Sequence, residues 1–309
     1  MENVPENVVL EVFRELFPGS EETDIRMFSS GWNSILYSIN GQYIVKFSRD
    51  EYASDDMKRD IEITGKIRPY LEGIRIPDYI YHTYRNGLLV GIYKMIEGTP
   101  LIQSDPLSYG NDSIFNSLKR AERESLASSL SGTLRQINRV PVEILYEYGK
   151  AGPKKWADRF KKTIENYEKV CLPYFPEDTR EKVSSLLEDT MKQIRVASFS
   201  EVPIHGDFGG WNILYSMDRG KISGILDWGG MVFGDPAYDI SELLVSFGED
   251  FTERVVHLTY RNDDGIMDRA RIYAGLAGFM DITYGIRLGS NLLIRTGIMM
   301  VTNFINGVY

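Results

Sequence analysis

Residues 205–212 read His-Gly-Asp-Phe-Gly-Gly-Trp-Asn, and Asp227 follows fifteen residues after Asn212 in the run Gly224-Ile225-Leu226-Asp227-Trp228. An amide oxygen and a carboxylate are hard ligands, suited to Mg²⁺ whose shell is completed by phosphate and water oxygens. A third oxygen-bearing group close by, Asp207, can accept a proton from an attacking hydroxyl. Three unrelated structural needs would have to coincide to reproduce this spacing without such a site.

Those groups need elements to hold them. ILYS (213–216) and ISGIL (222–226) read as strands around a turn at Met217–Gly220. Antiparallel pairing centred near 218–219 sets Asn212 opposite residues 225–227, with Asp207 on the loop feeding the hairpin. Upstream, residues 2–17 carry Val9, Val12, Phe13 and Leu16 at helical spacing. ILYSI and YIVKF flank Asn40-Gly41, a pair that tolerates the positive φ values of a hairpin turn. A helix is expected over about Asp56–Leu71, disturbed near its end by Pro69, followed by two strands separated by Arg85-Asn86-Gly87.

Beyond Glu97-Gly98-Thr99-Pro100 the pattern turns helical. Leu126, Leu130, Leu134 and Ile137 form one stripe. Trp156, Phe160, Ile164, Tyr167 and Val170 form a second, and Val183, Leu186, Leu187, Met191 and Ile194 a third. Such stripes are helix packing before they are anything else. The boundary falls near residue 97, dividing 1–97 from 98–309. Asp235 and Asp239 read as helix caps or braces of the metal loop, and His205 as a buried, hydrogen-bonded scaffold residue.

The 309 residues carry a net charge of −9 and a single cysteine, Cys171. That excludes an internal disulfide framework and a cysteine zinc site, and it disfavours a nucleic-acid partner. The N-terminus is acidic and amphipathic, unlike a targeting peptide. The most apolar stretch, Asn291–Ile305, is short and interrupted by Arg295, so no membrane span is expected. A soluble cytoplasmic protein, a monomer or weak dimer, is the reading.

HGDFGGWN, then ILDW, then Gly234-Asp235-Pro236-Ala237-Tyr238-Asp239, in that order, resemble the aminoglycoside phosphotransferase family of kinase-like small-molecule phosphotransferases. Ser29-Ser30-Gly31, the KRDIEI run at 58–63 and ITYG at 282–285 look most like aminoglycoside 2″-phosphotransferases. The resemblance covers essentially the whole chain. It implies an α+β, two-lobed, protein-kinase-like fold, with a small antiparallel-sheet N-lobe bearing one helix and a larger, mostly helical C-lobe. It implies transfer of the γ-phosphate of ATP or GTP, with Mg²⁺, to a hydroxyl of a small molecule. Asp207 would orient or deprotonate that hydroxyl, while Asn212 and Asp227 would hold Mg²⁺. Lys46 would contact the α/β-phosphates, and Ser30 and Gly31 would occupy the phosphate-loop position with one glycine where protein kinases have three. Backbone groups of Lys94 and Ile96 would hold the purine, with Tyr93 behind it as a residue favouring guanine.

A carboxylate on the following helix should fix Lys46. Asp60 has Ile63, Thr64 and Ile67 at +3, +4 and +7, the phase of an inward-facing acid, whereas Glu62 has Gly65, Lys66 and Pro69. Helical phase favours Asp60, although the family usually has Glu. From Ile222 to Glu253 there is no Lys or Arg but seven carboxylates, which suits a small cationic hydroxylated acceptor such as an aminoglycoside. Glu249 and Asp250 are the preferred contacts, unless they are a solvated helix-terminal pair, and Asp281 and Tyr284 are further candidates. Kinases of choline, homoserine, a sugar or a macrolide are the alternatives within the class. A non-catalytic nucleotide-binding module is the alternative outside it, weakened by the presence of Lys46, Asp207, Asn212 and Asp227 together. A protein kinase is disfavoured because no activation-loop-like segment follows Asp227.

Overall fold

The computed structural model describes residues 4–20, 23–102, 113–147 and 156–307. The chain opens with α1 (Glu6–Leu16), β1 (Ile25–Ser30), β2 (Ser34–Ile39), β3 (Tyr43–Ser48), α2 (Glu51–Ile67), β4 (Tyr79–Arg85) and β5 (Leu88–Lys94). The five strands form one antiparallel sheet in the order β1-β2-β3-β5-β4. Its hairpins turn where Asn-Gly pairs stand. Asn40 and Gly41 have φ of 53° and 62°, and Asn86 and Gly87 have 51° and 81°. Val9, Val12 and Phe13 of α1 pack on alternate residues of the sheet, including Tyr37, Ile39, Val45 and Phe47. Lys46, between the last two, therefore turns to the opposite face.

Helix α2 starts five residues before the expected Asp56. The Asp50 carboxylate accepts the Ala53 N–H at 2.7 Å and caps it there. It ends at Ile67 in a 3-10 turn, Arg68–Tyr70, that contains Pro69.

The second lobe follows as β6 (Thr99–Pro100), α3 (Ile114–Ser117), α4 (Arg120–Ile137), α5 (Val142–Glu147), α6 (Trp156–Cys171) and α7 (Glu177–Val196). Then come β7 (Val202–Ile204), β8 (Ile213–Ser216), β9 (Lys221–Ile225) and β10 (Val232–Gly234). The chain closes with α8 (Ala237–Phe247), α9 (Glu249–Thr259), α10 (Ile266–Ala274), α11 (Ala277–Leu288) and α12 (Asn291–Ile305). Two small sheets, β6-β8-β9 and β10-β7, sit among the helices. The architecture is the expected one: a small antiparallel-sheet lobe joined to a mostly helical lobe. All three helical stripes face the large core, with Val170 and Leu186 only partly buried at its edge. Helices α11 and α12 approach so closely that a Cβ on Gly278 would lie 2.5 Å from the Gly297 carbonyl oxygen. Among the described residues no helix is long and apolar enough to cross a membrane.

Candidate active site

Strands β8 and β9 pair Ile213 with Ile225, and the Leu226 N–H donates to the Asn212 carbonyl at 2.9 Å. Asn212 and Asp227 thus emerge side by side at the open end of the hairpin. The loop before it bends at Gly206, whose φ is 82° and where a Cβ would sit 2.3 Å from the Gly230 carbonyl oxygen. Buried Asp239 fastens this bend. Its two carboxylate oxygens accept the His205 and Gly206 N–H groups, each at 2.8 Å. His205 is a buried spacer. Its Nδ1 accepts the Asp207 N–H, its Nε2 donates to the Leu226 carbonyl, and burial lowers its pKa to about 4.

Asp207 is held at both oxygens. Trp211 Nε1 donates to Oδ1 at 3.0 Å and Asn212 Nδ2 to Oδ2 at 2.8 Å. Burial, and then the charge of Asp227, push its pKa up to about 7. Asp227 shows the opposite balance: burial would raise it, but Lys46 outweighs burial and holds the carboxyl below the ordinary range. Asp227 has φ of 64°, left-handed backbone that a non-glycine residue adopts at a cost of about 1–2 kcal/mol. Strained backbone of this kind clusters at active sites and ligand clamps.

Lys46 reaches across the cleft. Its Nζ lies 3.0 Å from Asp227 Oδ1 and 3.5 Å from Asp60 Oδ2. Burial opposes its charge, yet Asp227, Tyr79 and Asp60 together raise its pKa well above the ordinary value. Asp60 is fully buried, and Glu62 lies half-buried on the helix. Asp60 also accepts the Tyr79 hydroxyl at 2.6 Å and the Trp228 N–H at 3.0 Å. Burial raises its own pKa and Lys46 works against that rise.

The cleft between the lobes is lined by Gly31, Trp32, Lys46, Asp207, Asn212 and Asp227, and at its back by Tyr93, Met95 and Ile96. Ser30 closes β1; its side chain lies outside the described residues. Gly31 and Asn33 are tied to β3's end, since Arg49 Nε donates to the Gly31 carbonyl at 2.7 Å and the Arg49 N–H to the Asn33 carbonyl. Tyr93 is buried and meets Tyr79 edge-to-face at 5.1 Å. Ile96 borders the cleft, while the Lys94 side chain points to solvent at the end of β5.

The acceptor candidates divide. Glu249 and Asp250 sit exposed on the first turn of α9, away from the cleft lining, and Glu249 is bound by Arg271. Helical register explains it: α8 ends at Gly248, and the following turn faces α10 instead of the cleft. Tyr284 does line the cleft. Asp281, one turn before it, is buried with Oδ2 lacking a hydrogen-bond partner, and burial pushes its pKa to about 7. Glu242 joins this group. Burial, followed by Asp207, Asp239 and Asp281, raises its pKa well above the carboxylate range. Sequence reasoning missed Glu242 as a partner of Asp207, and it missed Trp211, Tyr79 and Arg287. Only Trp211, inside the HGDFGGWN run, carried a local signal. Asp235 is structural, accepting the Ala237 N–H at the start of α8 and pairing with buried Arg269 at 2.8 Å.

Residues 24–273 match the model of the phosphotransferase enzyme family. The chain belongs to that family. A curated relative, viomycin phosphotransferase of Streptomyces vinaceus, is 22% identical over 294 residues, spanning 93% of this chain and 96% of its own. Among solved structures, the GDP and kanamycin complex of APH(2″)-IIIa superimposes with a TM-score of 0.83 at 20% identity, covering 98% of this chain and 99% of that one. Macrolide 2′-phosphotransferase type I does so at 0.72 and 16%, covering 97% and 99%. These likenesses fix the two-lobed kinase-like fold. Several relatives are antibiotic phosphotransferases, and this phosphotransferase keeps the same architecture end to end.

Proposed function

We propose that this phosphotransferase moves the γ-phosphoryl group of ATP or GTP to a hydroxyl of a small cationic molecule, an aminoglycoside being the named candidate. The reading assigns nucleotide binding to residues 1–97 and acceptor binding and catalysis to 98–309, in the cytoplasm, where both nucleotides occur. One observation carries it: Lys46, Asp207, Asn212 and Asp227 line a single cleft, although they come from three separate segments.

The donor set suits Mg²⁺. Asn212 gives its amide N–H groups to Asp207, which turns its oxygen the other way, and Asp227 adds a carboxylate. Both are hard oxygen donors. When bound, the ion would neutralise charge on the phosphates. The protein's part is positioning and electrostatics. Lys46 steadies the α/β-phosphates, and the backbone around Gly31 faces the triphosphate. Backbone groups of Lys94 and Ile96 hold the purine in front of Tyr93. Asp207 accepts the acceptor's hydroxyl proton as the new O–P bond forms and the γ-phosphate leaves the β-phosphate oxygen. A base whose pKa lies near 7 is well matched to that transfer. Asp281 and Glu242, with Tyr284 beside them, favour an acceptor whose ammonium groups supply a counter-charge that no ion pair among the described residues supplies.

The test is direct. Incubation with Mg²⁺ and ATP or GTP, against kanamycin, gentamicin, viomycin, a macrolide and choline, is followed by mass spectrometry for a phosphorylated product. Product from the polyamines sustains the reading. Product from choline or the macrolide alone, or none at all, rejects it.

A further inference from the structure

Arg287, on the last turn of α11, spans the cleft. Its Nη2 donates to the Trp32 carbonyl at 3.3 Å and to Asn33 Oδ1, and its Nε lies 3.6 Å from Asp50 Oδ2. The guanidinium sits 4.7 Å above the Tyr284 ring and 4.8 Å above the Tyr52 ring. Trp32 packs tilted against Tyr284, ring centroids 4.8 Å apart, and Asn33 Nδ2 reaches the Tyr284 hydroxyl at 3.4 Å. One cation therefore touches the phosphate loop, the cap of α2 and the acceptor wall at once. Asp281, Tyr284 and Arg287 follow at three-residue spacing, on successive turns of one helix.

We propose that Arg287 is a positioning residue that holds the phosphate loop in its nucleotide-ready form from across the cleft, and so couples nucleotide binding to acceptor binding. The inference rests on the phosphotransferase reading above. A loop already fixed by its surroundings has less freedom to lose when a triphosphate binds. A planar guanidinium suits the task, because it can hydrogen-bond in its plane while its face packs on aromatic rings. Whatever packs on Tyr284 steadies the same clasp, and by linkage each ligand then tightens the other.

Calorimetric titration of Mg-ATP and Mg-GTP into wild type, Arg287→Ala, Asn33→Ala and the double variant tests the idea without needing an acceptor. Each single change should weaken the preferred nucleotide about tenfold, and the double should be no weaker than Arg287→Ala, since both remove one clasp. Trp32 emission, assigned with Trp32→Phe, should shift in Arg287→Ala. Asn33→Ala, at a half-buried loop position, keeps the test alive if Arg287→Ala folds poorly. Wild-type affinity in either single variant, or losses that add in the double, overturns the clasp alone. Absence of nucleotide binding in the wild type overturns the phosphotransferase reading itself.

Discussion

Asp60 and Trp228 meet across the cleft: the Trp228 N–H donates to Asp60 Oδ1 at 3.0 Å. The carboxylate beside Lys46 therefore also fixes the peptide that follows Asp227. One buried acid on α2 thus contacts both Lys46 and the peptide after Asp227, the groups proposed to hold the phosphates and the metal, which come from opposite lobes.

That double duty predicts an asymmetry between two acids on one helix. Asp60→Asn takes one carboxylate from Lys46 and turns an amide N–H₂ toward either the Trp228 N–H or the Tyr79 hydroxyl. Nucleotide KM should rise about tenfold or more, as expected for losing a charge-assisted contact. Glu62→Gln should leave it unchanged. Steady-state kinetics with varied nucleotide measures both, and equal effects would contradict the Asp60 assignment.

Asp207→Asn keeps the shape of the site and removes the proton acceptor. Because general-base catalysis contributes about 10²–10⁴-fold, kcat should fall by that factor. Nucleotide affinity should stay within about threefold, since Asp207 does not contact Lys46. Near-normal turnover would show that another group takes the proton.

Asp239 acts through the loop it holds. In Asp239→Asn, one backbone N–H of the His205–Gly206 bend faces an amide instead of a carboxylate oxygen. A buried donor left unsatisfied costs about 1–3 kcal/mol, which urea denaturation would register. Turnover should drop with nucleotide affinity preserved. A stable variant with full activity would remove Asp239 from the positioning network.

Asp281 offers a test by pH. Its carboxyl titrates at about 7 in the folded chain, against about 3.8 when exposed, and burial is the cause. A folded-state pKa raised above the unfolded one means the native state holds the proton more tightly. Stability is then undiminished below about pH 4 and declines as pH rises toward 7, by a few kcal/mol at most. Asp281→Asn should accordingly raise the melting temperature at pH 8, change it little at pH 4, and weaken a cationic acceptor. Equal melting curves at pH 8 would mean that the buried carboxylate already has a counter-charge.

The local signals were legible because they depend on short spacings. Asn-Gly pairs fixed two hairpins through their tolerance of positive φ. YIVKF read as the strand that carries Lys46. Helical phase distinguished Asp60 from Glu62, and the β8–β9 register brought Asn212 next to Asp227. What could not be read was anything set by how separate helices meet. Glu249 and Asp250 looked like acceptor contacts because they lie in an acidic run, but a run has no direction: after the turn at Gly248, Glu249 pairs with Arg271 and Asp250 faces solvent. Asp281 was a candidate from its place beside ITYG, but Glu242 and Arg287 gained their meaning only from the packing of α8 and α11 in the fold, because burial and charge pairing depend on three-dimensional neighbours that no linear spacing encodes. The sequence by itself determined which groups could do the chemistry and which strands carry them. Only the tertiary structure decided which acids lie buried near Asp207 and which arginine ties α11 to the opposite lobe, because both depend on how distant segments pack.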